Sequence, residues 1–198
     1  MNEPDITLKD IEEAEGVLKG RVHVTPLEKS RTLGEMAGTD LYLKLENKQV
    51  TGSFKLRGAY YKIWTLSDSE RRRGVVAASA GNHAQGVAHA ATLLGTNSTI
   101  VMPESASPAK VDATKGYGAK VVLHGNIFDE TLEMAKSISR KDGATFIHPF
   151  DDPQVIAGQG TVGLEMFTAQ PDLTVTVVPV GGGGLISGVA TAARAIRP

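Results

Sequence analysis

The 198-residue sequence predicts an α/β fold made of two open parallel-sheet domains, and three observations carry that prediction. From residue 74 onward, short apolar runs alternate with stretches of helical spacing, the pattern of βαβ crossovers and a parallel sheet. A second unit of the same kind begins after Asp151-Asp152-Pro153. The joints after two of the expected strands are rich in glycine, Ser79-Ala80-Gly81-Asn82-His83-Ala84-Gln85-Gly86 and Gly181-Gly182-Gly183-Gly184-Leu185.

Taken in order, Thr7-Leu8-Lys9-Asp10 is a capping-box start, and Ile11, Ala14, Val17 and Leu18 follow at helical spacing to about residue 19. Residues 22–27 are expected to be extended. Ser30 should cap a short helix that Gly38 closes, and 40–46 alternates as a strand. Leu56, Tyr60, Ile63 and Trp64 form a helical stripe as far as residue 67, after which Arg71-Arg72-Arg73 reads as a solvated turn. Strands are expected at 75–78, 98–102, 120–123 and 144–147, all buried and parallel. Helices fill 82–94, 107–117 and 127–141. The second unit should hold a helix around 163–169, a strand at 174–180 and a final helix from Leu185. This unit is expected to pair with the N-terminal segment. The division is therefore 1–66 and 151–198 in a large domain, with 67–150 inserted as a small one.

Composition bounds the function. The chain is 41% hydrophobic and 22% charged, with net charge −1, which gives no general attraction to nucleic acid or anionic lipid. Arg71 to Arg73 lack the interleaved aromatics and the basic balance that a nucleic-acid surface needs. Cysteine is absent, so disulfides and thiolate metal sites do not arise. The N-terminal residues are acidic and polar, unlike a signal peptide. No apolar run reaches membrane-spanning length, so the expected location is the cytoplasm.

The chemistry centres on Glu46-Asn47-Lys48-Gln49-Val50-Thr51-Gly52-Ser53-Phe54-Lys55-Leu56-Arg57-Gly58. Lys55 lies between an aromatic and an apolar residue, surroundings that disfavour the ammonium and suit a nucleophilic amine. Ser53 can cap a helix that places Lys55 in its first turn, where the dipole disfavours the charge further. Taken alone, the stretch reads first as a solvated lysine in a capped helix, since most lysines are exposed. Gly181 to Gly184 can turn successive N–H groups toward an anion at a helix start. The G-x-G-x-x-G dinucleotide spacing is missing, as is the Gly-Lys-Ser/Thr of a nucleotide loop. The Ser79 to His83 turn is a second anion-friendly joint, equally read as a plain strand-to-helix turn capped by Asn82. Ser79 and His83 lack the orienting acid and elbow of a nucleophile pair. His23, His89, His124 and His148 show no metal-ligand spacing and read as structural; no metal site is expected. Asp151-Asp152 reads as a turn and helix start.

The lysine stretch and the two glycine-rich joints together resemble the fold-type II pyridoxal-phosphate enzymes, in the threonine dehydratase and serine racemase branch, over residues 6–198. The resemblance implies a tryptophan synthase β-like fold with pyridoxal 5'-phosphate in the cleft between the domains. It implies that Lys55 is the catalytic lysine, that Phe54 packs beside the cofactor ring, and that Gly181, Gly182, Gly183, Gly184 and Leu185 hold the phosphate. Asn82 would contact the ring hydroxyl, and Ser79, Ala80, Gly81, Asn82 and His83 would bind the substrate carboxylate. The implied reaction is α,β-elimination: Lys55, displaced by the substrate amine, removes the α-proton, the β-hydroxyl leaves, and L-threonine gives 2-oxobutanoate and ammonia.

Residue-level contrasts narrow the branch. Lys55-Leu56-Arg57 and Gly183-Gly184-Leu185 depart from the Lys-Asp-Arg and Thr-Gly-Gly-Thr patterns of cysteine synthase-like relatives. In serine racemases a serine occupies the place of Ala80 and reprotonates the second face of the α-carbon, so elimination is expected to dominate here, with L-serine a slower substrate. Isoleucine biosynthesis and a homo-oligomer, dimer or tetramer, are the further expectations. Relatives of this kind run further, and their later segment faces the pyridine nitrogen and often holds a cation. The large domain is accordingly expected to be truncated at residue 198, with an open sheet edge. A non-catalytic cofactor-binding fragment is the alternative of a different class.

Overall fold

The computed structural model describes residues 6–197. The first helix, α1 (Leu8–Leu18), starts at the expected capping box, where Thr7 and Asp10 satisfy each other's backbone and side-chain groups. An antiparallel pair follows, β1 (Leu27–Lys29) with β2 (Tyr42–Lys44), in the register Leu27↔Lys44 to Lys29↔Tyr42. Between them lies α2 (Arg31–Ala37), capped by Ser30 and closed by Gly38 in the left-handed conformation (φ 67°). The strand expected over 40–46 is shorter, because the chain enters a 3₁₀ turn at Glu46–Lys48.

The lysine stretch opens α3 (Lys55–Thr65). Its N-cap is Phe54, and the buried Ser53 hydroxyl finds no partner among the described residues, so the serine cap expected from the sequence does not form. Arg71 to Arg73 are the last turn of a short helix, α4 (Asp68–Arg73), rather than a turn. Ser67 and Glu70 cap its start and the three cations sit at its negative end.

Beyond it the βα alternation follows the sequence closely: β3 (Val75–Ala78), α5 (Asn82–Leu93), β4 (Ser98–Met102), α6 (Pro108–Gly116), β5 (Lys120–Leu123), α7 (Phe128–Asp142) and β6 (Thr145–Phe146). The four strands form a parallel sheet in the order β5-β4-β3-β6. The pleat divides their side chains between two cores. Val75, Ala77, Ile100 and Met102 pack with Ala84, Val87, Ala88 and Ala91 of α5 on one face. Val76, Ala78 and Val101 pack with Ala135 of α7 on the other. The two edge strands depart from the expected burial: β5 leaves Lys120 and Leu123 exposed, and both residues of β6 are only half-buried.

The chain returns through α8 (Pro153–Ala169), much longer than the helix expected around 163–169. Asp152 caps it by accepting from Gln154 N (2.9 Å) and Val155 N (3.1 Å). Residues 174–180 form no strand; no neighbouring strand is hydrogen-bonded to them among the described residues, and Val175, Val177 and Val180 stand exposed. They lead into α9 (Gly184–Ile196). α8 is the central post, with α1, α3 and α9 packed around it.

These helices touch through backbone. A Cβ at Gly158 would stand 2.6 Å from Gly58 Cα and 2.8 Å from Arg57 O, and one at Gly188 would stand 2.5 Å from Gly160 N. Glycine to alanine inside a helix ordinarily stabilises by up to about 1 kcal/mol. Gly158→Ala is expected instead to destabilise by about 1–3 kcal/mol through overpacking, read as a lowered urea midpoint.

Candidate active site

Lys55 is the first residue of α3, so the unpaired N–H groups of the helix start lie around its backbone. The loop before it is fixed by Gln49, whose side chain accepts from His23 N (2.8 Å) and donates to His23 O (2.8 Å). The helix itself is pinned two residues later. Arg57 is completely buried and spends its whole guanidinium on fixed acceptors. It donates to Glu46 from Nε (2.9 Å) and Nη2 (2.8 Å), and to Glu165 from Nη1 (2.6 Å) and Nη2 (3.0 Å). Thr161 Oγ1 and His23 O accept as well. Lys44 completes the cluster with an ion pair to Glu165. Burial pulls the Arg57 pKa down, but the hydrogen bonds and charges of Glu46 and Glu165 outweigh it and hold the pKa above the ordinary range.

The Lys55 side chain is half-buried, and that burial lowers its pKa. Nζ donates to Pro149 O at 2.6 Å and lies 5.4 Å from the centroid of the Phe54 ring. It faces a cavity of about 310 Å³ lined by Phe54, Lys55, Pro149, Phe150, Gln159 and the run from Pro179 to Leu185. The four glycines form part of its wall. Gly183 takes a left-handed conformation (φ 91°) and caps α9. A Cβ at Gly182 would collide with the Phe150 ring, and one at Gly184 would stand 2.7 Å from Phe150 O. Among the described residues, no backbone N–H from Gly181 to Ile186 finds a protein acceptor. A half-buried amine with a lowered pKa thus shares its cavity with a cradle of N–H donors at the positive end of a helix.

The Ser79 to His83 turn lies next to this cavity rather than in its wall. Its helix α5 is capped by Gly81, with the exposed Asn82 as first helical residue. Ser79 Oγ accepts from Gly81 N (3.2 Å). One turn into α5, a Cβ at Gly86 would stand 3.0 Å from the Lys55 carbonyl carbon, so the two helix starts are in contact. His83 is buried and Nε2 donates to Ile147 O at 3.0 Å. Burial first, with the Lys55 charge adding to it, pushes its pKa down to about 4 despite that bond.

The sequence thus puts Phe54, Lys55, Gly181, Gly182, Gly183, Gly184 and Leu185 on one cavity. It leaves unmarked Pro149, Phe150 and Gln159, which complete the wall, and Glu165, which anchors Arg57. A buried arginine beside the lysine demands carboxylate partners, and Glu46 lies in the same stretch. Nothing in the sequence identifies Glu165 as the second. Gln159 is buried, accepts from Gly58 N (3.3 Å) and leaves Nε2 without a partner among the described residues. Among these residues, too, no cluster of three or more His, Asp or Glu could hold a metal ion, and no helix is long and apolar enough to cross a membrane.

The model of the family described as pyridoxal-phosphate dependent enzymes matches residues 18–198. The chain is 60% identical to an L-threonine ammonia-lyase of Thermotoga maritima, over 98% of this chain and 48% of that protein. It is 52% identical to a catabolic L-threonine dehydratase of Staphylococcus aureus, over 98% of this chain and 56% of that protein. The solved structure of maize serine racemase superposes with a TM-score of 0.96 at 39% identity, covering 98% of this chain and 59% of the racemase. The chain spans about half the length of the curated relatives it matches.

His83 sets an acid limit on stability. Its pKa, near 6.5 ordinarily and about 4 when folded, means that between those values the unfolded chain binds a proton the folded chain refuses. Stability therefore falls as pH falls through that window, by about 2–3 kcal/mol between roughly pH 7 and 4.5 from this residue. Urea unfolding at the two pH values should show this loss, and His83→Gln, which keeps a donor and cannot titrate, should show that much less.

Proposed function

Since this chain belongs to the pyridoxal-phosphate-dependent enzyme family, we propose that the protein it represents is a threonine dehydratase, deaminating L-threonine to 2-oxobutanoate and ammonia by α,β-elimination, with L-serine to pyruvate as a side activity. The observation that carries this reading is the pairing of the Lys55 amine with the glycine cradle across one cavity. The residues present fit the cofactor. The unpartnered N–H groups from Gly181 to Ile186 suit its phosphate, and the lowered pKa of Lys55 suits a covalent bond to its aldehyde.

When bound, pyridoxal phosphate supplies the electron sink that lets an α-proton leave. This chain's residues do the rest. Lys55 Nζ would hold the cofactor, then take the α-proton as general base; its lowered pKa keeps more of the amine in the proton-accepting form. Pro149 O gives the freed amine a fixed hydrogen-bond acceptor. Phe54 and Phe150 give the cavity two apolar walls that limit water. Ser79, Ala80, Gly81, Asn82 and His83 form the turn we assign to the substrate carboxylate, and its contact with the Lys55 backbone at Gly86 supports that placement.

The likeness to maize serine racemase favours racemisation as a second reading. Ala80 weighs against it, because a methyl group cannot carry a proton to the opposite face of the α-carbon. We further propose that residues 67–150 are the nested small domain. All four strands of the parallel sheet fall within them, while α1, α3, α8 and α9 pack together outside it. A cytoplasmic homo-oligomer, dimer or tetramer, is part of the proposal. So is a metabolic role in isoleucine biosynthesis or threonine breakdown, the second supported by the name of the S. aureus relative.

Addition of pyridoxal phosphate to the purified chain should produce a visible absorption band that borohydride fixes onto Lys55 in a peptide map. Lys55→Ala should lose the band. Label scattered over surface lysines would overturn the assignment of the site. In the full-length protein, release of 2-oxobutanoate from threonine separates the enzyme from a cofactor-binding module, and Lys55→Ala should lower kcat by several orders of magnitude.

A further inference from the structure

His148 follows β6 and precedes α8, and it closes the turn between them. Its Nδ1 accepts from two backbone N–H groups, Phe150 N at 3.3 Å and Asp151 N at 2.7 Å. An accepting Nδ1 carries no proton, so the ring is neutral with its hydrogen on Nε2. The imidazole also stands edge-on to the Phe150 ring, centroids 4.7 Å apart and planes at 84°. Both products of this turn face the cavity. Pro149 O receives the Lys55 amine, and Phe150 packs its ring and backbone against Gly182 and Gly184.

We propose that His148 is a positioning residue whose neutral imidazole locks the turn 148–151, and through it sets both the Lys55 amine and the glycine cradle. The proposal rests on the reading of this cavity as the cofactor site. Protonation at Nδ1 would set a donor against two donors, so the turn loosens as the ring gains charge. The groups around the ring pull in both directions. Asp151 and Asp152 favour the cation, while Lys55 of α3 and Lys136 of α7 oppose it, and the neutral His83 at the start of α5 lies nearby. Burial outweighs the carboxylates and holds the imidazole below its ordinary range, which keeps the accepting form dominant near neutral pH.

The test compares wild type with His148→Ala and His148→Asn. An asparagine Oδ1 can accept the same backbone N–H groups in an Asx turn and does not titrate. In the cofactor-free chain, NMR should show the Asp151 amide and the Lys55 side-chain resonances shifting together with the His148 imidazole on acidification. In His148→Asn that shared step should vanish. With pyridoxal phosphate added, borohydride-fixed label on Lys55 should fall several-fold in wild type on acidification from about pH 7.5, with a component at the imidazole midpoint, which lies below the ordinary histidine value. His148→Asn should lack that component, and His148→Ala should be several-fold lower at pH 7.5 while still folded at the assay temperature, as its far-ultraviolet circular dichroism shows. Wild-type labelling in His148→Ala, or the same acid component in His148→Asn, would overturn the proposal. Absence of label in wild type would fail the cofactor reading instead. The NMR experiment then decides alone, and a Lys55 resonance indifferent to the imidazole titration overturns the proposal.

Discussion

The buried guanidinium of Arg57 is the interaction on which the arrangement of this chain depends. It joins the 3₁₀ turn before the lysine loop through Glu46 to the long helix α8 through Glu165, and it sits two residues from Lys55 on a rigid helix. A buried arginine is costly to desolvate, and here every direction of its fork meets an acceptor. The cost is offset only in one geometry, because the guanidinium is planar and its donors have fixed directions. Lys44 brings the count of charges to two cations and two carboxylates, so the cluster is neutral as well as satisfied. Residues 23–57 and 161–165 therefore meet in one register, and the lysine is presented from a base that cannot slide.

The site built on that base has a consistent electrostatic character. The helix starts of α3, α5 and α9 converge on or beside the cavity, each with its unpaired N–H groups. Such a place favours anions and disfavours cations. In the same place burial lowers the Lys55 pKa and is the first cause that keeps His83 and His148 neutral.

Much of this was legible in the residues. Caps and glycine stops located α1, α2 and α5 to α7 within a residue or two, and β-branched runs located β3 to β5, since those signals act locally. The failures have local causes too. Gly158 and Gly160 lie in the part of α8 that was missed: propensity counts glycine against a helix, whereas close contact with α3 and α9 requires it. The run 174–180 has the alternation of a strand, but alternation describes a side-chain pattern and a strand needs a hydrogen-bonded neighbour. Ser53 has the chemistry of a cap without the geometry. In the site, Lys55 and the four glycines announce themselves by composition. Phe150, Gln159 and Glu165 do not, since they become part of the cavity or its support only once distant segments meet.

The glycine crossings of α8 with α3 and α9 have a mechanical meaning. Where side chains separate two helices, a displacement of one can be absorbed by a change of rotamer before it reaches the other. At Gly58 against Gly158, and at Gly160 against Gly188, no rotamer intervenes and peptide groups bear directly on one another. At these crossings the head of α9 and the helix carrying Lys55 are joined through α8 by backbone contacts, so the relative placement of the glycine cradle and the lysine is set by peptide groups rather than by rotamers.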